Sequence, residues 1–206
     1  PYRFKNKAAF AGILQLRYLL LPYLYSEYMK AALHDGMYCM PLAFAFPQDA
    51  FARQVEDEVM IGESLLIAPV YEQNARGRYV YLPEEMLHVR VHCSQGNRIE
   101  TSVLPAGHHY IPVELDEVVF FVRKGHMLPL AKGGRDIQTV ADVDFADLRL
   151  FAYAPDGAAY TYYTDDGETK DYENPEHFVH ITLDAKGTAQ SDHAAVKVEA
   201  TPAPLG

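Results

Sequence analysis

Gly36-Met37-Tyr38-Cys39-Met40-Pro41-Leu42-Ala43-Phe44-Ala45-Phe46-Pro47 is the stretch where the pattern of this chain changes. Before it, apolar side chains recur with a helical period. After it, short apolar runs are separated by turn residues. The run from Met37 to Phe46 is almost continuous, does not alternate, and is closed by Pro47-Gln48-Asp49. That pattern predicts a strand buried on both faces.

Upstream, Phe10, Ile13, Leu14, Leu20, Leu21, Leu24, Tyr28 and Ala32 follow the 3.6-residue period and predict a helix from about Asn6 to Leu33. Asn6 is expected to cap its start and Gly36 to end it. Pro22 removes one hydrogen bond inside the pattern, so a kink or short break is expected there. Leu16, Leu19, Tyr23 and Tyr25 carry the apolar surface onto other faces, as in a helix inside a larger protein.

Downstream, everything reads as β structure. Candidate strands are Val59–Ile61, Ser64–Val70, Arg78–Leu82, His88–Cys93, Ile99–Leu104, His109–Val113, Val118–Arg123, Leu148–Ala154, Ala159–Thr164, Phe178–Leu183 and Ala194–Thr201. Gln95-Gly96-Asn97, Pro105-Ala106-Gly107, Lys124-Gly125, Pro155-Asp156-Gly157 and Asp165-Asp166-Gly167 supply the turns. Many short strands at this spacing predict β-sandwiches. Lys132-Gly133-Gly134 opens a poorly apolar stretch, and a second domain boundary is expected between about 130 and 143. Residues 202–206 are expected to fray.

The chain has 206 residues, long enough for one large or two small domains. Hydrophobic residues make up 49% and charged residues 22%, which excludes wholesale disorder. Residues 1–48 carry five basic and two acidic side chains, whereas the rest carry thirteen and 26. Such a shift marks a change of architecture. The net charge of −10 supplies no basic face for a nucleic acid. The longest apolar runs fall short of the ~20 residues that span a bilayer, so no membrane partner is expected. The first residue is Pro1 and no signal-peptide pattern follows it, which predicts a piece of a longer polypeptide. Two cysteines and no Asn-x-Ser/Thr site point to a cytoplasmic protein. They form no disulfide framework, no zinc-ligand spacing occurs, and no cofactor is expected.

Several clusters invite a chemical reading. Asp165, Asp166 and Glu168 are the densest acidic group, but the spacing is wrong for a calcium loop, and Asp-Asp-Gly after a strand predicts a hairpin turn. His88 and His92 fall on one face of a strand, and His177 and His180 on opposite faces. With no orienting carboxylate at a compelling spacing, they read as exposed strand histidines, as do His108 and His109 beside Gly107. His92 and Cys93 point apart, which makes a poor nucleophile pair. Arg17, in a very apolar helix, is expected to be buried and to anchor the helix. Tyr153, Tyr160, Tyr162 and Tyr163 are either a sugar-stacking platform or sheet packing, with packing the favoured reading.

Five blocks then resemble, in order and spacing, the late barrel and C-terminal β domains of glycoside hydrolase family 31, the α-glucosidase and α-xylosidase family. They are Leu16-Arg17-Tyr18-Leu19-Leu20-Leu21-Pro22-Tyr23-Leu24-Tyr25-Ser26; Asp57-Glu58-Val59-Met60-Ile61-Gly62 with Leu65-Leu66-Ile67-Ala68-Pro69-Val70; Arg78-Tyr79-Val80-Tyr81-Leu82-Pro83; Phe121-Val122-Arg123-Lys124-Gly125-His126-Met127-Leu128-Pro129-Leu130; and Tyr163-Thr164-Asp165-Asp166-Gly167-Glu168-Thr169. Two departures are Met40 before Pro41, where the family often has Arg, and Met86-Leu87, near where it often has Trp.

The resemblance implies a mainly β chain: one helix and strand left over from a (β/α)8 barrel, then two β-sandwich-like domains. The implied domains are 1–40 (incomplete barrel), 41–127 (proximal β domain) and 128–206 (distal β domain, incomplete). It implies retaining hydrolysis in a parent enzyme, through two carboxyl groups ~5–5.5 Å apart. No residue here matches either carboxylate motif, so no catalytic, cofactor or metal residue is assigned and the chain alone is expected to be inactive. The implied partners are the rest of the barrel and, for the parent, an α-linked glucoside or oligosaccharide. Large apolar residues on the orphaned helix predict self-association, and deleting residues 1–36 is expected to remove it without unfolding the β domains. The alternative reading is a free-standing carbohydrate-binding β-sandwich module.

Overall fold

A computed structural model describes residues 5–133 and 137–202. They divide into two compact units, each made of separated stretches of chain: residues up to Leu16 with Cys39–Lys124, and Arg17–Tyr38 with Gly125 onward. The helical segment 17–38 goes with the second β unit.

The predicted helix is two helices, α1 (Lys7–Leu19) and α2 (Leu21–Leu33). The break at Leu20 precedes Pro22, which sits in the first turn of α2, where a missing N–H is harmless. Asn6 caps α1 through its Oδ1, which accepts the Ala9 N–H at 3.0 Å. At the other end Asp35, at φ 53°, takes the left-handed position, and the Gly36 N–H closes the turn on the Ala31 carbonyl at 2.8 Å. Arg17 is exposed rather than buried. The buried stripe of α1 runs through Ala9, Gly12 and Leu16, and Arg17 lies off it.

The stretch predicted as a long strand is shorter and more broken. It holds β1 (Cys39–Pro41) and then one helical turn, α3 (Leu42–Ala45). Cys39 and Pro41 are exposed and Leu42 is fully buried. The apolar run therefore serves a helical turn pressed into the core, not a strand covered on both faces.

In the first unit, β2 (Val59–Ile61), β3 (Leu65–Ile67), β5 (Met86–His92), β6 (Arg98–Leu104) and β8 (Glu117–Arg123) join β1 in an antiparallel sheet of order β1-β2-β3-β8-β5-β6. A separate ribbon pairs β4 (Gly77–Leu82) with β7 (Gly107–Pro112). Sheet and ribbon share one core: Met60, Leu66, Met86 and Phe121 from the sheet, Val80, Leu82 and Ile111 from the ribbon, and Leu42 from α3. Fully burying side chains of this size stabilises by roughly 1.5–3 kcal/mol each. Gly12 on α1 rests on this unit's turn at 93–97. A Cβ there would lie 2.1 Å from the Cys93 carbonyl oxygen.

In the second unit, β9 (His126–Ala131), β10 (Asp147–Tyr153) and β14 (Lys197–Pro202) form one sheet, with β10–β14 parallel. β11 (Ala158–Tyr163), β12 (Phe178–Leu183) and β13 (Ala189–Ser191) form another. β9 and β13 had no counterpart among the predicted strands. α2 belongs to the core of this unit. Tyr23 and Ser26 are fully buried, Ser26 Oγ accepts the Tyr163 N–H at 2.9 Å, and the Tyr160 hydroxyl donates to Glu27 Oε1 at 2.5 Å. Deleting residues 1–36 would thus strip a core element from this unit. Ala131, Ile137 and Val143 form a smaller cluster with Tyr18, Leu19 and Leu21.

The chain is mainly β, with several antiparallel sheets and few helices. Beyond residue 60 the described residues hold strands and three-residue helical turns. Gly134 of the predicted 132–134 break, and residues 203–206 of the predicted frayed end, lie outside the described residues.

Candidate functional site

The acidic cluster lies in the long loop joining β11 to β12, so the Asp-Asp-Gly is part of a hairpin but not of a tight turn. Asp165 is an anchor: the hydroxyls of Tyr25 (2.8 Å) and Tyr163 (3.0 Å) both donate to it. Burial, with that hydrogen bond, pushes the Tyr25 phenol up to about 12. Asp166 accepts the backbone N–H groups of Glu168 and Thr169, which hold its carboxyl down at about 2. Both carboxylates are occupied by the chain itself.

Of the strand histidines, His108 and His180 are exposed as expected, whereas His88 and His92 are not. His92 is buried, with Nδ1 3.2 Å from Glu117 and Nε2 3.3 Å from Glu100. Nothing in the local spacing announced these carboxylates, because the sheet register brings them from β8 and β6. His88 Nδ1 lies 3.1 Å from Ser102 Oγ, and burial pushes its pKa down to about 4. His109 contacts the Pro105 carbonyl at 2.8 Å, within a strand rather than at a turn. Burial raises the Cys93 thiol, away from nucleophilic character. Tyr153, Tyr160, Tyr162 and Tyr163 are all buried, so they pack and offer no open ring face. No group of three or more His, Cys, Asp or Glu side chains able to hold a metal occurs among the described residues.

The most convergent polar geometry gathers around Arg78, which opens β4. Its guanidinium is largely buried and reaches three separate chain segments. Nη1 donates to the carbonyls of Pro69 (2.7 Å) and Asp57 (3.1 Å), Nη2 pairs with Asp57 Oδ2 at 2.6 Å, and Nε donates to the Tyr79 carbonyl at 3.0 Å. Beside it, Glu58 is buried. Its Oε1 accepts the Tyr81 N–H at 2.7 Å, while Oε2 has no hydrogen-bond partner. Burial raises this carboxyl to about 7, against the opposing pull of the Tyr81 N–H and of Arg78.

The outer face of the β4–β7 ribbon is aromatic. Tyr79 faces Tyr110 across the ladder, ring centroids 5.2 Å apart, and Tyr81 faces His108 at 4.8 Å. Phe51 closes on both Tyr81 and His108. Gly77 makes room for the Tyr110 ring: at φ 153° it carries no side chain, and a Cβ there would lie 2.9 Å from Tyr110 Cζ.

The family model described as the glycosyl hydrolase family 31 C-terminal domain matches residues 36–128. A 1,6-alpha-glucosyltransferase of Sporosarcina globispora is 32% identical over 183 residues, covering 86% of this chain and 14% of that protein. An alpha-xylosidase of Saccharolobus solfataricus is 28% identical over 182 residues, covering 87% of this chain and 24% of that protein. This is a C-terminal region of glycosyl hydrolase family 31. The fold agrees. The crystal structure of a family 31 alpha-xylosidase from Xanthomonas citri superposes with a TM-score of 0.69 at 24% identity, covering 94% of this chain and 20% of that one. A glucosidase II alpha subunit reaches a TM-score of 0.73 at 22% identity, over 96% of this chain and 22% of its own.

In this family 31 region two neighbouring sequence blocks meet physically at one side chain. Asp57 and Pro69 both come from one block, and Arg78 opens the next. A single guanidinium fastens the two, which gives their joint occurrence a structural reason. Neither Arg78 nor Glu58 was singled out from sequence. The available signal was an Arg heading an apolar strand, facing an Asp-Glu pair that precedes another.

Proposed function

We propose that this chain is the non-catalytic C-terminal part of a retaining α-glycosidase. In the parent, α1, α2 and β1 would complete the edge of a (β/α)8 barrel, and the β units would pack against that barrel and stabilise it. The observation that carries this reading is the large apolar side chains left in water on the helices. Ile13 and Leu14 are 41% exposed, Tyr28 56% and Phe44 63%. A covering partner accounts for them. The parent's substrate would be an α-linked glucoside or oligosaccharide and its reaction the hydrolysis of an O-glycosyl bond, in line with the name of the alpha-xylosidase, whereas the Sporosarcina relative is named for glucosyl transfer. In the isolated chain the same side chains favour self-association. The unpaired Cys39 and Cys93 suit a cytoplasmic setting.

The purified chain is expected to show no turnover of an aryl α-glucoside. Turnover well above buffer that survives re-purification refutes the non-catalytic reading. Removing the matching segment from the Saccharolobus alpha-xylosidase is expected to abolish soluble, active enzyme. Undiminished activity and an unchanged melting temperature refute the stabilising role.

A further inference from the structure

A two-stranded ribbon that packs one face on a core usually turns a polar face to water. Here the outward positions are Tyr79, Tyr81, His108 and Tyr110, and they continue into Phe51 and Tyr71. Tyr71 is 69% exposed, Tyr79 73% and Tyr110 52%. The rings line two clefts that share Asp57, Tyr71 and Tyr79, one of about 360 Å³ and one of about 420 Å³. We propose that this aromatic ribbon is a binding site for a neutral oligosaccharide.

The chemistry of the lining selects that ligand. Aromatic faces present a flat apolar surface with a negative quadrupole, suited to the C–H face of a pyranose ring. Successive outward positions on a strand are about 6.6 Å apart, so neighbouring ring pairs offer successive platforms along an extended chain. The polar groups beside them are acceptors: the carboxylates of Asp57, Glu56 and Glu72 line the same clefts. Sugar hydroxyls donate to such groups. Arg78, the guanidinium in the lining, is committed to Asp57, Pro69 and Tyr79 and presents no free charge to an anion. An acidic rim without an available cation disfavours phosphate, sulfated polymers and nucleic acid.

A second, independent observation lies beneath the rings. Glu58 lines one of the clefts with its side chain 2% exposed, and its Oε2 is one of several buried polar atoms without a hydrogen-bond partner among the described residues, and the one that lies in a cleft lining. A buried oxygen of this kind is costly to leave unmade, and a ligand hydroxyl or a water it orders would complete it. The platform is also pre-formed. Gly77 lets the Tyr110 ring lie on the backbone, and Tyr81 is pinned by its hydroxyl, which donates to Asp49 Oδ2 at 2.7 Å.

The test is titration of the 206-residue chain with maltoheptaose, read by calorimetry and by saturation-transfer NMR. Saturable binding is expected, weakened roughly tenfold or more in Tyr79→Ala and Tyr110→Ala and retained in Tyr79→Phe, which keeps the ring. Both tyrosines are exposed, so the Ala variants should keep the parent circular dichroism and melting temperature. Three results overturn the proposal. One is no saturable binding at the solubility limit of the sugar. Another is binding undiminished in the Tyr79→Ala/Tyr110→Ala double variant. The third is loss of a homo-oligomer, rather than of sugar binding, in that variant, which would make the ribbon a contact between copies. A sulfated heparin oligosaccharide should not compete, and competition would overturn the choice of a neutral ligand. None of these readouts depends on whether the chain is catalytically silent.

Discussion

Tyr160 and Glu27 lie 133 residues apart in sequence and 2.5 Å apart in space, hydroxyl to carboxylate, in the middle of the second unit. Lys30 completes the group: its ammonium pairs with Glu27 and sits 4.1 Å above the centre of the Tyr160 ring. One helix face therefore presents an anion and a cation to the same tyrosine, the anion to its hydroxyl and the cation to its ring. Burial holds the phenol well above its ordinary pKa, so it remains a donor.

Truncating either partner should loosen α2 from its sheet. Tyr160→Phe removes a hydrogen bond to a charged group and is expected to destabilise by roughly 1.5–3 kcal/mol. Glu27→Ala removes that bond together with the Lys30 ion pair in a mostly buried setting and is expected to reach about 3–5 kcal/mol. Urea unfolding of the two variants checks both. Equal, negligible losses would mean that α2 is held by its apolar contacts alone.

Gly12→Ala improves intrinsic helix propensity by ~1 kcal/mol, yet it should destabilise. The added methyl meets the Cys93 carbonyl oxygen at 2.1 Å, and backbone cannot swing aside as a side-chain tip can. Asn97 Nδ2, which donates to the Gly12 carbonyl at 3.1 Å, would be displaced too. The net expected loss is about 1–3 kcal/mol, read as a lower melting temperature. A rise would show that the helix end sits free of the turn.

Glu58 makes stability depend on pH. Its folded carboxyl is raised to about 7 from an ordinary 4.5, so between those values the folded chain holds a proton that the unfolded chain has released. Stability from this group is therefore fully present below about 4.5 and falls as pH rises through about 7. His88, lowered to about 4, acts in the opposite sense: its contribution is lost as pH falls from 6.5 toward 4. The difference between the parent chain and Glu58→Gln isolates the first effect. That difference should move in favour of the variant by roughly 1–3 kcal/mol between pH 4.5 and 8. A pH-independent difference would place the proton elsewhere.

Self-association, if it runs through the exposed helical side chains, should respond to charge at those positions and not to truncation of the helices, since α2 is part of a core. Ile13→Lys with Leu14→Glu, or Tyr28→Lys, is expected to leave the circular dichroism unchanged and to convert an oligomer to monomer in light scattering at tens of micromolar. An unchanged oligomer would move the contact off these faces.

Most strands, β9 and β13 excepted, were legible because each is short and bracketed by its own turn residues. Val59–Ile61 and Phe178–Leu183 fall where alternation and flanking glycine or proline put them. What failed was wherever a distant partner decided the outcome. The apolar run at 37–46 lacks alternation, and local pattern cannot tell a strand from a helical turn when both are buried; Leu42 turns inward beneath the ribbon. Arg17 was assigned to the interior by the company it keeps, but the buried stripe of α1 runs through Ala9, Gly12 and Leu16, and Arg17 lies off it. Asp165 looks like turn chemistry, and its link to Tyr25 spans 140 residues that no local window covers. The aromatic ribbon was hidden in the same way. Tyr79-x-Tyr81 and His108-x-Tyr110 become one surface only once the register of β4 against β7 is known.

Each unit is assembled from two separated stretches of chain, and this sets an order of events during synthesis. α2 leaves the ribosome well before its sheet, because the strand that takes up Ser26 and Glu27 is made more than 130 residues later. At ordinary elongation rates that delay is on the order of 10 s, far longer than a helix needs to form. Throughout it, the stretches that build the first unit can close around the excursion at 17–38 and leave it dangling as a preformed but unattached hook. The nascent chain is therefore most vulnerable to chaperone capture or premature cleavage in that one segment, until β11 has been made.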